Sequence, residues 1–316
     1  AGVRERLFAA IPAELYDAVA AGIGLFIAFI GLKNAGIIVA HPATTVALGK
    51  LSDPGTLLAL LGLVLTATLL ARGVPAAILV GILATALVGS VLGVAQVAAA
   101  PVALGDLWET AGQLDVAGAL RLGVLEVVFV FLFVDLFDNF GTLVAVGRKA
   151  RLFDSANRIP RVRSILLTDA TASMAGAALG TSTVVSYIES AAGIVAGGRS
   201  GVTAIVTGLL FALALVVAPL VGGIPAAATA PALILVGAAM LPHAAGIEWG
   251  DPGVAIPSFL TLLAIPLTFS IANGVALGFT AWTLLKLTTG RAREVSWVVW
   301  LLTGLFVARF VWLGAG

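Results

Sequence analysis

Long runs of apolar residues recur along the whole chain, and they constrain its fold more than any other feature. A helix needs about 20 consecutive apolar residues to cross the hydrocarbon core of a bilayer. By that measure we predict about eleven hydrophobic segments, which lie near residues 15–31, 55–71, 74–93, 123–147, 163–179, 186–196, 200–221, 224–240, 254–270, 272–289 and 295–313. Only 10% of the residues are charged, against about 25% in soluble domains, and the mean hydropathy is +1.14. We therefore predict an all-α polytopic membrane protein embedded in the lipid bilayer.

Some of these segments are too short or too broken to cross as one straight helix. The segment at 186–196 is about half a span, and those at 254–270 and 272–289 are expected to be interrupted at Pro257, Pro266 and Asn273–Gly274. In addition, "PAAILVGILATALVG" (75–89) and "ANGVALGFTAWTLLK" (272–286) share a glycine-punctuated pattern. Opposed copies with broken helices are typical of inverted-repeat secondary transporters, although Ala- and Gly-rich membrane helices also resemble one another by chance.

Lysine and arginine collect in alternate loops, which predicts the orientation of the chain. Residues 147–163, between the fourth and fifth segments, contain six of them. If this loop and the basic residues near 4–6, 72, 199 and 286–293 are inside, the loops at 32–54 and 94–122 fall outside. The loop at 147–163 is explained by this topological role alone, and binding of phosphate or lipid headgroups is the lesser alternative.

Several function classes are excluded by what the sequence lacks. The chain has no cysteine, which removes disulfides, thiol redox chemistry and cysteine–metal sites. It has no Walker loop, dinucleotide fingerprint or zinc-ligand cluster, so ATP-driven transport, metal chemistry and an enzymatic function have no support. The net charge of +1 argues against a nucleic-acid partner.

Two carboxylates interrupt the fourth apolar segment in "FLFVDLFDNFGTLVAV" (131–146). Asp135 and Asp138 are three residues apart and share a helix face. An acid at mid-bilayer is costly and usually faces a cavity or a transport path. Two nearby carboxylates in low dielectric are not both ionised readily, so one of them can carry a proton. The alternative is that each forms hydrogen bonds to neighbouring polar groups.

A second polar site is predicted in "GTSTVVSYIESAAGIVAGGRSG" (180–201). The β-branched run at 181–185 favours an extended strand, and a short helix is expected to start near Ser186–Tyr187. Glu189 then lies in the first turn of a half-helix, where free N–H groups gather. Glu189 is either a ligand group or a helix cap. Asp169, early in the fifth segment, is a candidate for the proton path or for a structural hydrogen bond.

The motifs "FVDLFDNFGTLVAVG", "LGTSTVVSYIESAAGIVAGGRSGVTAIVTGLLF" and "GLFIAFIGLKNAGIIVA" resemble the AzgA-like guanine/hypoxanthine/adenine permeases of the nucleobase–cation symporter (xanthine/uracil permease) superfamily. The resemblance covers essentially the whole chain. It implies a multi-pass protein of the cytoplasmic membrane that imports purine nucleobases by proton symport, with the proton as coupling ion and no other cofactor. It also implies an elevator mechanism, and dimers are common in the superfamily.

The resemblance also assigns the site. Asp138 in "DNFGT" takes the position of the first binding carboxylate, with Thr142 as its supporting polar group. Glu189 takes the second, with the N–H of Ile188 as a backbone donor, and Ser190 stands where the broader superfamily has Asn. Independently, a carboxylate can accept paired hydrogen bonds from a purine edge, and Phe140 would suit a flat ring. Proton coupling is expected at Asp138 or Glu189, with Asp135 and Asp169 as further candidates.

The resemblance implies two inverted repeats of seven helices, divided into core and gate domains. Aligned to that pattern, the first four helices are expected to be absent from the chain. The implied division is a first gate triplet (1–94), an external loop (95–122), a core quartet (123–221), a second gate triplet (222–290) and a C-terminal hydrophobic segment (291–316). The alternatives are a non-transporting fragment or assembly partner of such a permease, and an anion transporter of the same fold, which the acids Asp138 and Glu189 disfavour.

Overall fold

The computed structural model describes residues 12–94, 109–121, 135, 139, 141–155, 159–187, 190–216 and 224–312, and it is mostly helical. The helices are α1 (Tyr16–Asn34), α2 (Pro54–Ala71), α3 (Ala77–Val91), α4 (Val116–Arg121), α5 (Val162–Ala178), α6 (Ser190–Val195), α7 (Gly201–Val216), α8 (Ala226–Met240), α9 (Pro252–Leu267), α10 (Ile271–Thr288) and α11 (Trp297–Trp312). Residues 141–149 are also helical. Short 3₁₀ helices lie at Ala13–Leu15, Leu241–Gly246 and Ala292–Glu294.

The length and composition of the helices agree with a polytopic membrane protein. Within the described ranges, three helical stretches are long and apolar enough to cross a membrane, namely Ala13–Asn34, Pro54–Ala71 and Ala226–Gly246. Shorter apolar helices lie at Ala77–Val91, Gly201–Ala214, Pro252–Leu267 and Trp297–Ala308. Each of these coincides with a segment predicted from hydrophobicity.

The chain divides into two compact units. The first comprises Ala1–Leu25, Leu107–Ser190 and Met240–Gly316, and the second comprises Phe26–Asp106 and Ala191–Ala239.

The second unit contains the helix pair α2 and α3, which pack through glycine–threonine contacts. A Cβ on Gly62 would lie 2.7 Å from Thr85 Oγ1, and a Cβ on Gly81 would overlap the side chain of Thr66. Asp53 starts α2 by accepting hydrogen bonds from the N–H groups of the first turn, at 3.0 and 3.3 Å. Small residues let the two backbones approach closely, as is usual between membrane helices.

The same unit contains a β-hairpin, which the all-α prediction missed. Strands β1 (Ile38–His41) and β2 (Thr45–Leu48) pair antiparallel, with His41 opposite Thr45 and Ile38 opposite Leu48. Thr45 has a φ of 67°, which closes the short turn. The hairpin occupies the middle of the predicted outside loop at 32–54.

The first unit contains the corresponding helix pair α9 and α10. Asp251 caps α9 by accepting from the N–H of Gly253 at 2.8 Å. Gly278 of α10 touches Thr261 of α9, and the Thr261 hydroxyl donates to Pro257 O at 2.9 Å. Helix α11 packs on α10 through the edge-to-face rings of Phe279 and Phe306, whose centroids are 6.0 Å apart. The C-terminal hydrophobic segment is thereby placed against α10.

The predicted interruptions at Pro257, Pro266 and Asn273–Gly274 are wrong. Helix α9 continues through both prolines, and α10 begins at Ile271 with Asn273 and Gly274 in its first turn. Prolines are tolerated in membrane helices because neighbouring hydroxyls satisfy freed backbone groups. The break lies instead at 268–270, where Phe269 has a φ of 54° and Ser270 caps α10.

Charged side chains from distant parts of the sequence meet in the first unit. Lys286 is 5% exposed and lies 3.0 Å from Glu294 and 3.7 Å from Glu14. Asp17 lies 3.5 Å from Arg148 and 3.7 Å from His243. The residues near 14–17, 148, 243 and 286–294 are therefore at one end of this unit, which agrees with the predicted orientation. His243 lies in the 3₁₀ helix Leu241–Gly246.

Candidate functional site

The segment after α5 folds back along the helix that precedes it. Gly180 makes the turn with a φ of 79°, a left-handed conformation that favours glycine. Ser173 of α5 then donates to Val184 O at 2.7 Å. A Cβ on Gly176 would lie 2.6 Å from Val184 Cγ2, so only glycine leaves room for this approach. Residues 181–187 are therefore a non-helical segment that runs back along α5, here called the re-entrant segment, and after two undescribed residues the short helix α6 follows.

The prediction for this region is partly confirmed. Residues 181–185 are non-helical, but the structure assigns them to no strand, and the described part of the chain provides no strand that pairs with them. The short helix was expected near Ser186–Tyr187, which is wrong, since both residues are non-helical and α6 spans Ser190–Val195. Non-helical backbone in a membrane protein is tolerated where it is buried in protein or lines a cavity, and a cavity lies beside this segment.

Asp135 contacts the re-entrant segment directly. The Thr183 hydroxyl donates to Asp135 Oδ1 at 2.7 Å, across 48 residues of sequence. Ser173 Oγ lies 3.2 Å from Thr183 Oγ1. Sequence reasoning missed Thr183 and Ser173. The sequence does show that each hydroxyl lies among small or apolar residues, Ser173 in "TASMAG" and Thr183 in "GTSTVV", and this could have marked them as candidates.

A cavity of about 630 Å³ lies between α5 and the re-entrant segment. Its polar lining consists of Arg161, Ser164, Thr168, Asp169 and Ser186, and its other walls are aliphatic or proline side chains. Asp169 is only 9% exposed. A mostly apolar cavity of this size with a few polar groups can hold a small organic molecule.

Of the other predicted site residues, the structure describes only some. Thr142 is 6% exposed and its helical neighbour Asn139 is 5% exposed, so both are buried polar residues. Ser190 begins α6 and is exposed. Four of the predicted residues lie outside the described residues, namely Asp138, Phe140, Ile188 and Glu189. The structure thus brings Asp135, Asp169 and the re-entrant segment into one region of the first unit.

The helical segment 141–149 is fixed closely against its neighbours at its start. A Cβ on Gly141 would lie 2.7 Å from Ile23 Cδ1 of α1 and 3.1 Å from Ile271 Cγ2 of α10. Thr142 is adjacent to this contact, so its position depends on the packing of α1 and α10. The "NFGT" sequence therefore combines a packing glycine with buried polar neighbours.

Comparison with known proteins gives a consistent result. The permease family model of the xanthine/uracil permeases matches residues 1–251. The chain is 49% identical over 312 residues to a putative permease of Methanocaldococcus jannaschii, covering 98% of this chain and 72% of the relative. It is 42% identical to the adenine permease AdeP of Escherichia coli, covering 99% and 70%. It is also 42% identical to the guanine/hypoxanthine permease PbuG of Bacillus subtilis, covering 99% and 71%. The chain therefore belongs to the xanthine/uracil permease family of integral membrane transporters.

Proposed function

We propose that this protein is a secondary active transporter that imports purine nucleobases across the cytoplasmic membrane. The observation that carries the proposal is the identity of 42% over nearly the whole chain to permeases named for adenine and for guanine and hypoxanthine. The re-entrant segment at 181–187, with the cavity beside it, supports a transport site in this part of the chain. The motifs around Asp138 and Glu189, which resemble those of the purine permeases, support the same function.

We propose Asp138 and Glu189 as the groups that bind the base. A purine edge carries N–H donors, and a carboxylate can accept two such bonds in a planar arrangement. Thr142 supports Asp138, Ile188 supplies a backbone donor, Phe140 stacks on the ring, and Ser190 begins the helix after Glu189. Protonation of Asp138 or Glu189 before the loaded site moves would couple uptake to the proton gradient, with Asp169 as a further candidate.

We further propose that the chain has an inverted-repeat architecture and works by an elevator mechanism. The proposed division is a first gate triplet (1–94), an external loop (95–122), a core quartet (123–221) and a second gate triplet (222–290). The C-terminal segment (291–316) packs on the second triplet. Two observations support the repeat. Helices α2 and α9 both start with Asp-Pro-Gly, at residues 53–55 and 251–253. In both helix pairs a glycine of the following helix touches a threonine, Gly81 with Thr66 and Gly278 with Thr261. In the predicted topology these copies have opposite orientations, as an inverted repeat requires. A homodimer is the assembly that we propose.

Uptake of labelled adenine and hypoxanthine by cells that lack purine transport tests the binding residues. Asp138→Asn and Glu189→Gln should abolish uptake at unchanged amounts of protein in the membrane, because each removes a carboxylate that accepts the base or the proton. Glu248→Gln, an exposed carboxylate of the segment that follows α8, is the matched control and should retain uptake. Uptake at the level of the unaltered protein in Asp138→Asn would refute its assignment.

The alternatives give different results in the same experiment. A non-transporting assembly partner would give background uptake with every variant and would recover transport only with a second protein. An anion transporter would show uptake of small anions that purines do not inhibit. The two proposed acidic groups disfavour the anion alternative because they repel an anion at the binding site.

A further inference from the structure

Side chains from three separate parts of the sequence meet beside the re-entrant segment. Asp135 precedes the helical segment 141–149, Ser173 lies in α5, and Thr183 lies in the re-entrant segment itself. Thr183 Oγ1 donates to Asp135 Oδ1 at 2.7 Å, Ser173 Oγ donates to Val184 O at 2.7 Å, and the two hydroxyl oxygens are 3.2 Å apart. Asp135 and Ser173 are partly buried, whereas Thr183 is exposed.

These bonds hold two consecutive residues of a segment that has no ladder of backbone hydrogen bonds in the described chain. A strand within a sheet is fixed at every second residue by its neighbour, whereas this segment is held by side chains at Thr183 and Val184. The proton of the Thr183 hydroxyl is donated to Asp135, and that of Ser173 to the Val184 carbonyl. The orientation of the segment therefore depends on the acceptor that Asp135 provides.

The held residues lie shortly before the proposed binding residues. Thr183 precedes Glu189 by six positions in the sequence, and the described part of the segment ends at Tyr187. A shift at Thr183 is passed on to residues Val184–Tyr187, which belong to no helix or strand that could absorb it. The described segment up to Tyr187, which directly precedes the proposed binding residues in the sequence, is therefore sensitive to the contact between Asp135 and Thr183.

We infer that Asp135 is a positioning residue, whose carboxylate holds the Thr181–Tyr187 segment through the Thr183 hydroxyl and so sets the affinity of the site for the base. This inference rests on the proposed function of residues 188–190. It differs from the proton-coupling role that the sequence predicts for Asp135. The two roles separate cleanly, because an asparagine at this position keeps an oxygen that accepts from Thr183 but cannot carry a proton.

Concentration-dependent uptake of labelled hypoxanthine, normalised to the amount of protein in the membrane, tests the role. Asp135→Asn and Thr183→Ser keep an acceptor and a donor, so the half-saturating concentration should stay within about threefold of the original value. Asp135→Ala and Thr183→Val each remove the bond and should raise that concentration by about tenfold, the lower end of the range for a hydrogen bond to a carboxylate, because Thr183 is exposed. Thr207→Val on α7 is the control, since the Thr207 hydroxyl bonds only locally, to Thr203 O at 2.8 Å.

The double variant Asp135→Ala/Thr183→Val gives the sharpest outcome. If the two residues act through one bond, the double variant should resemble either single one at about tenfold, whereas independent effects would multiply to about a hundredfold. Multiplied effects would overturn the inference. Loss of uptake in Asp135→Asn would also overturn it, in favour of the proton role, and so would unchanged half-saturation in Asp135→Ala and Thr183→Val.

A second measurement does not depend on transport. The chain has no cysteine, so Ser186→Cys introduces a single thiol into the re-entrant segment. Asp135→Ala and Thr183→Val should each speed its reaction with N-ethylmaleimide several-fold, whereas Asp135→Asn and Thr207→Val should not. If the unaltered protein transports no purine, the proposed function fails while the labelling rates still decide whether Asp135 holds the segment. Equal labelling rates in all variants would overturn the holding contact itself.

Discussion

Helix α10 approaches the backbone of α9 closely at Gly274, and replacing this glycine with alanine should destabilise the helix pair. A Cβ on Gly274 would lie 2.6 Å from Ile265 N and 2.8 Å from Ile265 Cα. Ordinary carbon contacts lie at about 3.5–4.0 Å. The two helices would therefore have to separate locally by about 1 Å. The obstructing atoms belong to the backbone of α9, so no change of rotamer can remove the overlap.

The size of the effect follows from that separation. When two helices separate by about 0.5–1 Å, each pair of contacting atoms loses a quarter to a half of its van der Waals attraction. Forced overpacking in a well-packed interior costs about 1–3 kcal/mol. We expect Gly274→Ala to lie at the upper end of that range, about 2–3 kcal/mol, because the neighbouring Gly278–Thr261 contact is also opened.

Thermal stability of the detergent-purified protein, followed by the loss of the monodisperse peak in size-exclusion chromatography, measures this cost. The control is Gly304→Ala on α11, where a Cβ would meet no atom within 4 Å. Since alanine is the better helix former, Gly304→Ala should be neutral or slightly stabilising. Ile265→Ala should not rescue Gly274→Ala, because the clash with the α9 backbone persists. Equal stability of Gly274→Ala and Gly304→Ala would refute the reasoning.

Two further predictions concern charge and orientation. Hydrogen bonds from Arg291 and Lys286 lower the pKa of Glu294 from 4.5 to about 2. A carboxyl whose pKa is lowered on folding stabilises the folded state above its unfolded pKa, and this contribution is lost as the pH falls from about 4.5 towards 2. Glu294→Gln should therefore lose less thermal stability than the unaltered protein over that interval, and identical losses would contradict the role of Glu294. In the cysteine-free chain, Thr44→Cys in the hairpin turn should react with an impermeant maleimide in intact cells, whereas Arg293→Cys should react only after permeabilisation. The reverse pattern would invert the predicted orientation.

Hydrophobicity predicted the helices well, because burial in lipid requires long apolar runs that the sequence shows directly. It did not predict that α9 continues through Pro257 and Pro266. A sequence shows the missing N–H of a proline, but it does not show the packing of the neighbouring helix, which decides whether the helix continues. The hairpin at Ile38–Leu48 was missed because its strands are only four residues each and lie between two dominant apolar spans.

In the candidate site, too, features set by neighbouring residues could be predicted in part from the sequence, whereas contacts between distant residues could not. The β-branched side chains of residues 181–185 predicted a strand, whereas the structure shows a non-helical segment that is assigned to no strand. The contact between Asp135 and Thr183 spans 48 residues and depends on the reversal at Gly180, so the sequence could not pair them. The roles of Asp138 and Glu189 came from the family resemblance of their motifs and stay predictions.

Purine import is tested most directly by the accumulation of labelled adenine or hypoxanthine in transport-deficient cells that express this protein, measured with and without a protonophore. Proton-coupled purine import predicts accumulation above background. This accumulation should collapse when the proton gradient is removed, and excess unlabelled purine should inhibit it. Background accumulation in cells whose membranes contain the protein, or accumulation that the protonophore leaves unchanged, would contradict proton-coupled purine import.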